Sequence, residues 1–424
     1  MVTTLAAGTR SSIAVEGCQV CDSPDLRRVL FLGFLPPVNT MAPIGSTPRE
    51  QPGYPALVLH CERCKLVQLG LIVDPAILFP PEYAYTSGTT RILRENFADL
   101  YRESAQVVGL SPNDLIVDIG SNDGTLLSNF AHAHRVLGVE PTDAGKLALE
   151  RGIPTLTAFF NREVAARVRA EHGPAKVVTA TNVFAHIEDI HSVVDAVSHL
   201  LADGGVFISE SHYLLDLLEG LQYDTVYHEH LRYYSLASLS YLLGRHGLEV
   251  FHVKRIPTHG GSIRVYAARA GRYPREQAVT ELLAHEDARI YGARKLEDFK
   301  ERAARSKLDL LALLRDLERN GQRVYGVGAP SRASTLVNYV GLDDGIIDCV
   351  LEIKGSHKIG KYMPGTLIPV VEESRLFEDQ PEYALMLSWH IADELMPKLT
   401  QAGFRGDFIV PLPSPRVIKG VHSG

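Results

Sequence analysis

The apolar positions of this chain change their spacing several times, and each change marks a new kind of structure. Up to about residue 72, short apolar runs are broken by Pro36, Pro37, Pro43, Pro48, Pro52, Gly53 and Pro55, which predicts a middle stretch that is mostly loop. Between Thr90 and Val108, the residues Ile92, Leu93, Phe97, Leu100 and Tyr101 fall on one side of a helix. From residue 114 the pattern switches to short continuous apolar runs. Leu115 to Ile119, Arg135 to Glu140, Lys176 to Thr181 and Val206 to Glu210 read as strands, with helices between them, the first over Thr125 to Ala133. Such alternation predicts a parallel sheet with helices on both faces. Leu248 to Ile256 and Ser262 to Ala268, joined through Pro257-Thr258-His259-Gly260-Gly261, predict a closing antiparallel pair.

Residues 275–320 are charged, rich in Ala and Leu and nearly free of Gly, which predicts one or two long amphipathic helices. Alternation resumes at Arg323. Val324 to Val327 reads as a strand and Gly328-Ala329-Pro330-Ser331-Arg332 as a turn into a helix. Apolar runs follow at Ile346 to Leu351, Leu367 to Val371, Tyr383 to Ser388 and Phe408 to Pro411. The chain is therefore read as an α/β protein in three parts, residues 1–72, 73–272 and 273–424, with residues 1–14 as a flexible leader.

Composition narrows the function. The 424 residues are 45% hydrophobic and 22% charged, ordinary for globular domains, and carry a formal net charge of −7. An acidic balance without a basic run disfavours a nucleic-acid surface. No run of apolar residues is long enough for a membrane helix, and Met1 to Arg10 lacks the form of a signal peptide. The expectation is a cytoplasmic protein, a monomer or weak homodimer, with no membrane or nucleic-acid partner.

The cysteines add a metal. Cys18-x-x-Cys21 and Cys61-x-x-Cys64 have the paired spacing of a tetrahedral thiolate site, in which each pair bends around the ion. Disulfides are the alternative, disfavoured in a reducing compartment and with a large core. Four thiolates leave no open position, so zinc here is expected to be structural. Cys349 lies in an apolar run and reads as a buried bystander.

Asp118-x-Gly120-x-Asn122-x-Gly124 follows a strand and precedes a helix. Glycine lets the backbone approach a ligand, and Asn tolerates the left-handed conformation. The dinucleotide fingerprint G-x-G-x-x-G is absent, while Glu140 ends the second strand, where an acid can take both ribose hydroxyls. A loop of this kind suits S-adenosylmethionine, with S-adenosylhomocysteine as the product. The cofactor site is assigned to Asp118, Gly120, Ser121, Asn122, Asp123, Gly124, Glu140, Pro141, Phe159, Asn182, Val183 and Phe184. His186 closes the run Asn182-Val183-Phe184-Ala185-His186 at the carboxyl edge of the predicted sheet. It reads either as a cleft residue or as a histidine satisfied by backbone.

The densest chemistry is Tyr227-His228-Glu229-His230-Leu231-Arg232-Tyr233-Tyr234-Ser235. Two histidines, a glutamate and three tyrosines in nine residues suit general acid/base work, although a polar surface loop is the plainer reading. At the later turn, a helix N-terminus and the guanidinium of Arg332 read as an anion site, or as a structural turn.

Several motifs together resemble one family. They are the cysteine pairs, the loop Val117 to Leu127, the run Tyr227 to His230, the segment His259-Gly260-Gly261-Ser262-Ile263-Arg264-Val265-Tyr266 and the turn Gly326 to Pro330. They resemble the zinc-containing deoxysugar C-methyltransferases of antibiotic biosynthesis, over residues 16 to 415. The resemblance implies an N-terminal zinc-binding module, a central class I methyltransferase Rossmann-like domain and a smaller C-terminal Rossmann-like α/β domain. It also implies a nucleotide-linked, dTDP-type 4-keto-6-deoxy sugar as substrate, methylated next to its ketone through an enolate. His230 and Tyr227 are then candidate bases, with Glu229, His186, Tyr83 and Tyr85 lining the site. His259, Gly260, Gly261, Ser262, Gly328, Ala329, Pro330, Ser331 and Arg332 are implied to bind substrate. Departures from the family pattern stand at Leu231-Arg232, at Ser331-Arg332-Ala333 and along Glu352 to Lys358. Competing readings are an O- or N-methyltransferase, a zinc-ribbon nucleic-acid module and a nicotinamide oxidoreductase.

Overall fold

The computed structural model describes residues 4–5, 12–79, 88, 90–292 and 295–420. Tyr83 and Tyr85 lie outside the described residues.

The central unit is a seven-stranded sheet. Its strands are β1 (Leu115–Ile119), β2 (Arg135–Val139), β3 (Thr155–Leu156), β4 (Ala175–Thr181), β5 (Leu201–His212), β6 (Leu248–Ile256) and β7 (Ser262–Arg269). They stand in the order β3-β2-β1-β4-β5-β7-β6. All are parallel except β7, which runs against both β5 and β6 as the predicted closing pair. The chain builds outward from β1 to β3 and then crosses back to β4. The carboxyl ends of β1 and β4 therefore flank a switch-point crevice, where open α/β sheets bind ligands. β1 is buried along its whole length because it is covered on both faces, which is why it reads as an unbroken apolar run.

Two helices differ from the periodicity. The first spans Arg91–Ser104 and finishes in a wider π turn, Ala105–Gly109. The helix after β1 is one turn, Thr125–Ser128, rather than reaching Ala133. There the Asn129 side chain donates to the carbonyls of Thr125 and Leu126, at 3.0 and 3.3 Å, competing with the helical ladder.

The N-terminal part holds more sheet than its prolines suggest. Leu26–Leu35 and Tyr54–Cys61 pair antiparallel, and Val67–Leu69 extends the sheet. The fourth strand is Arg232–Tyr233, from the central unit. Residues 12–14, expected in a flexible leader, instead pair with Leu71–Val73. The proline-rich stretch between Leu35 and Tyr54 is irregular, as expected, whereas Pro55 falls inside the strand Tyr54–Cys61.

Two helices, Gln277–Arg289 and Lys295–Arg319, lead to the C-terminal unit. Glu286 on the first is fully buried and accepts from Tyr213 Oη and from the amides of Leu236 and Ala237, capping the helix Leu236–Gly244. The C-terminal sheet contains β8 (Val324–Val327), β9 (Cys349–Glu352), β10 (Val370–Glu372), β11 (Tyr383–Met386), β12 (Asp407–Val410) and β13 (Arg416–Ile418), ordered β10-β9-β8-β11-β12-β13. One apolar core runs through all three parts, from Val20 and Leu66 through Val117 and Leu218 to Val337 and Leu412.

Inside the central unit lies a buried ionic knot. The Arg264 side chain is wholly buried and donates through Nε to Glu210, at 3.0 Å, and through Nη2 to Asn96 Oδ1, at 2.8 Å. Nη1 reaches Glu103 and Asp99, so the knot ties the helix Arg91–Ser104 to β5 and β7. Arg264→Ala leaves the Glu210 carboxylate buried without its cation. The expected cost is about 3–5 kcal/mol of unfolding free energy, read as a lower denaturant midpoint by circular dichroism. An unchanged midpoint would contradict this account.

Candidate active site

At the crevice, the loop after β1 takes the shape its sequence predicts. Gly120 and Gly124 have φ of +68° and +74°, and Asn122 lies in the same region at 51°. At Gly120 any side chain would also collide, since a Cβ would stand 2.9 Å from Val183 Cγ2. Glu140, buried just beyond β2, accepts from the Asn122 amide at 3.0 Å and from Thr142 N and Oγ1 at 2.8 and 2.6 Å. Pro141, half-buried, follows it. Two buried atoms just beyond β1 and β4, Ser121 Oγ and Asn182 Oδ1, have no hydrogen-bond partner among the described residues, as expected of groups that await a polar ligand.

Asp118, Asp123 and Phe184, also assigned to the cofactor, are engaged within the protein. Asp118 is buried and accepts from Thr179 Oγ1 at 2.6 Å, bridging β1 to β4; burial pushes its carboxyl up to about 7. Asp123 accepts from Thr125 Oγ1 at 2.6 Å and pairs with Arg151 at 2.9 Å, so it braces the loop itself. The Phe184 ring sits in the core against Phe207 and Tyr234. Phe159 stands 69% exposed beyond β3.

Histidines gather where β4 and β5 end. The His230 ring lies 5.0 Å from His186, 4.9 Å from His212 and 4.1 Å from Tyr227, measured between centroids. His259 stands 5.6 Å from His212. His230 Nδ1 lies 2.8 Å from the Thr225 carbonyl. A carbonyl oxygen only accepts, so Nδ1 carries the proton and Nε2 is the basic atom of the neutral ring. Burial, reinforced by the charges that His186, His259 and Arg332 would present, lowers the imidazole to about 3. Burial likewise lowers His186 and His259 to about 4 and His390 to about 2. These rings are neutral at ordinary pH. His228 faces away, toward Tyr54 and the Pro55 carbonyl.

All three parts of the chain reach this cluster. Asn39, beyond the strand Leu26–Leu35, donates to Glu229 Oε1 at 2.7 Å. Lys358 donates to the Ala329 carbonyl at 2.5 Å, and burial lowers its ammonium against the raising influence of Glu352 and Glu229. Leu231 and Arg232, where the family pattern breaks, are braces. The Leu231 amide donates to the Ala185 carbonyl at 3.0 Å. The buried Arg232 guanidinium caps the carbonyls of Ile187 and Glu188, locking the His186 loop to the His230 run.

The residues assigned to substrate divide. His259 is half-buried, and its buried Nε2 has no partner among the described residues. Gly260 and Gly261, with φ of +88° and +119°, form a closed turn, where added Cβ atoms would strike Gln222 and Asp216. Ser262 donates to the Thr258 carbonyl at 3.1 Å. At the later turn, the Ala329 amide donates to Glu352 Oε1 at 2.8 Å, Pro330 caps the helix Ser331–Val340, and a Cβ on Gly328 would strike Ser388. Arg332 directs its fork to Asp224 rather than outward.

His212 escaped the sequence reading because β5 was ended at Glu210. The strand continues to pair with β7 as far as His212 opposite Ser262. Asn39, Asp224, Lys358, Trp389 and His390 carried no local signal.

The four cysteines complete the picture. Cys18 Sγ lies 3.3 Å from Cys64 Sγ and Cys21 Sγ 3.4 Å from Cys61 Sγ, all four being buried and within 4.8 Å of one another. Four converging thiols with Zn–S bonds of about 2.3 Å fit a closed tetrahedral zinc site. Each pair ends in a turn with a left-handed residue, Asp22 or Lys65, whose amide returns to Cys18 or Cys61.

This strand order, with a glycine loop after the first strand, an acid after the second and one reversed strand, defines a class I S-adenosylmethionine-dependent methyltransferase carrying a zinc module. Sequence comparison narrows the class. Residues 18–79 match a zinc-binding domain family, 90–253 a methyltransferase domain and 257–413 the C-methyltransferase C-terminal domain. The C-methyltransferase NovU of Streptomyces niveus is 35% identical over 411 residues, covering 95% of this chain and 97% of NovU. The chain belongs to this C-methyltransferase family and is an S-adenosylmethionine-dependent C-methyltransferase. Solved methyltransferases are similar over less than half of the chain. Magnesium protoporphyrin IX methyltransferase from Synechocystis, with S-adenosylmethionine bound, is 16% identical, covers 42% of this chain and 79% of its own, and has a TM-score of 0.32. A methyltransferase from Anabaena variabilis is 16% identical, covers 42% and 86%, and has a TM-score of 0.33. Among the described residues no helix is long and apolar enough to cross a membrane.

Proposed function

We propose that this enzyme methylates a carbon next to the ketone of a nucleotide-linked 4-keto deoxysugar, with dTDP as the nucleotide. The observation that carries the reading is His230, a buried neutral imidazole whose proton is held on Nδ1 by a backbone carbonyl, leaving Nε2 as a base. Nε2 takes the proton next to the ketone, and the electron pair moves onto the ketone oxygen. A base this weak needs donors aimed at that oxygen, an effect worth about 3–4 kcal/mol for each. Tyr227 and His186, both against the His230 ring, supply them. Glu229, steadied by Asn39, orients the base or takes a sugar hydroxyl. Tyr83 and Tyr85 are assigned to the same site by the family resemblance alone.

Gly120, Ser121, Asn122, Gly124, Glu140, Pro141, Asn182 and Val183 would hold the cofactor, with Phe159 as a ring for its adenine. Asp118, Asp123 and Phe184 act by shaping that pocket. When bound, S-adenosylmethionine supplies an electrophilic methyl group on a sulfonium. His259, whose buried Nε2 has no partner among the described residues, is assigned to the sugar. The helix start at Pro330 and Ser331, beside Lys358, is assigned to the diphosphate.

Incubation with a dTDP-4-keto-6-deoxy sugar and S-adenosylhomocysteine in deuterated buffer tests the reading. Exchange of a proton on a carbon flanking the ketone is expected. With methyl-labelled cofactor, carbon NMR should place the label on carbon. An O- or N-linked methyl group, with no exchange, would overturn it.

A further inference from the structure

Arg332 meets Asp224 face to face. Its Nε and Nη2 donate to the two carboxylate oxygens at 2.7 and 2.8 Å, and Nη2 also reaches Gln222 Oε1 at 3.2 Å. The guanidinium stands 4.7 Å from the Trp389 ring, and the indole Nε1 donates to Asp224 Oδ2 at 2.7 Å. One carboxylate of the central unit thus takes three hydrogen bonds from the C-terminal unit. The side chains are 7% and 0% exposed, so the pair is both desolvated and geometrically satisfied, the condition under which a buried ion pair fixes geometry.

Asp224 belongs to the turn Tyr223–Thr225. The helix that carries Arg332 grips this turn at further points. Thr335 Oγ1 donates to the Val226 carbonyl at 3.3 Å, and the Tyr339 ring packs on Tyr223 at 5.0 Å. The next carbonyl after Asp224 is that of Thr225, the acceptor for His230 Nδ1. The chain of contact therefore runs from Trp389 and Arg332, through one carboxylate and one peptide, to the imidazole.

We infer that Arg332 and Trp389 are positioning residues: by clamping Asp224 they hold the Thr225 carbonyl where it keeps the His230 proton on Nδ1. The C-terminal unit then acts on the tautomer of the base, and the Arg332 charge is committed inside the protein rather than to a substrate phosphate. The inference rests on the reading of His230 as the base.

The test combines kinetics with nitrogen NMR of enzyme labelled at histidine, the His230 signals being assigned by their loss in His230→Asn. Wild type is expected to show the Nδ1-protonated tautomer. Arg332→Lys keeps the charge but loses the two-pronged contact, and Trp389→Phe removes the indole donor while keeping an aromatic ring beside the guanidinium. In Arg332→Lys the proton is expected to redistribute toward Nε2, with kcat down by about 10²-fold and KM for the nucleotide sugar within about twofold. Trp389→Phe should move both in the same direction and decides the matter should Arg332→Lys fail to fold. A raised KM with unchanged tautomer and kcat would overturn the clamp and return Arg332 to substrate binding. A shifted tautomer with wild-type methylation would uphold the clamp and refute His230 as the base.

Discussion

His230→Asn is expected to lower kcat by about 10²–10⁴-fold, the usual contribution of a placed general base. Asparagine can still donate to the Thr225 carbonyl, so the fold should survive while the basic nitrogen is lost. Proton exchange into the proposed sugar substrate should fall in step with methylation, because both need the same carbanion. Wild-type rates of both would remove His230 from the mechanism and leave Tyr227 as the candidate. Burial lowers this imidazole to about 3, so the acid limb of the kcat profile should lie below the free-histidine value of about 6.5. The same depression links to stability. Below about 6.5 the unfolded chain gains protons that folded His230 refuses until about pH 3, so stability is full above that window and drains as pH falls through it. His186, His228 and His259, each lowered by burial to about 4, act in the same direction. The unfolding midpoint should therefore drop between pH 7 and pH 5, and less steeply in His230→Asn. Equal slopes in the two proteins would mean that His230 is not desolvated in the folded state.

What could be read from the sequence was chemistry whose partners lie close in the chain. The cysteine pairs, the loop from Asp118 to Gly124, Glu140 and the histidine run announce themselves by spacing. Arg332 shows the limit. A cation at a helix start has a local logic as an anion site, yet Asp224, 108 residues away, takes its fork. Asn39 reaches Glu229 across 190 residues and could not have been paired with it beforehand. Phe184 and His186 sit two apart after the same strand, and nothing in the pattern told that the first packs into the core while the second meets His230. The proline-rich segment hid its flanking strands, Leu26–Leu35 and Tyr54–Cys61, because they pair with each other across it, and the neighbouring strand Val67–Leu69 takes Arg232–Tyr233, far along the chain, as its other partner.

That last pairing makes zinc matter to catalysis without placing it in the reaction. Four thiolates leave the ion no open position, but the strand Val67–Leu69 leaves the second cysteine turn and pairs directly with Arg232–Tyr233. The Leu69 amide donates to the Leu231 carbonyl at 2.9 Å, one residue past His230. Gln68 joins the first turn to the same strand, accepting from the Gln19 amide at 2.9 Å and donating to the Gly17 carbonyl at 3.2 Å. Loss of the ion should release both turns, then this strand, then the His230 run. A structural zinc contributes about 10–16 kcal/mol in isolated zinc-binding peptides, more than this small sheet can replace by packing. Chelation, or Cys64→Ser, is therefore expected to abolish methylation and to lower the thermal midpoint, with activity returning when zinc is restored to the chelated wild type. Cobalt in place of zinc should restore it equally. Its tetrahedral-thiolate absorption should not change when the nucleotide sugar binds, because no ligand position is open to it. Full activity after metal analysis shows the ion gone would break the link from the cysteine turns to His230, and a substrate-dependent cobalt spectrum would make the site catalytic instead.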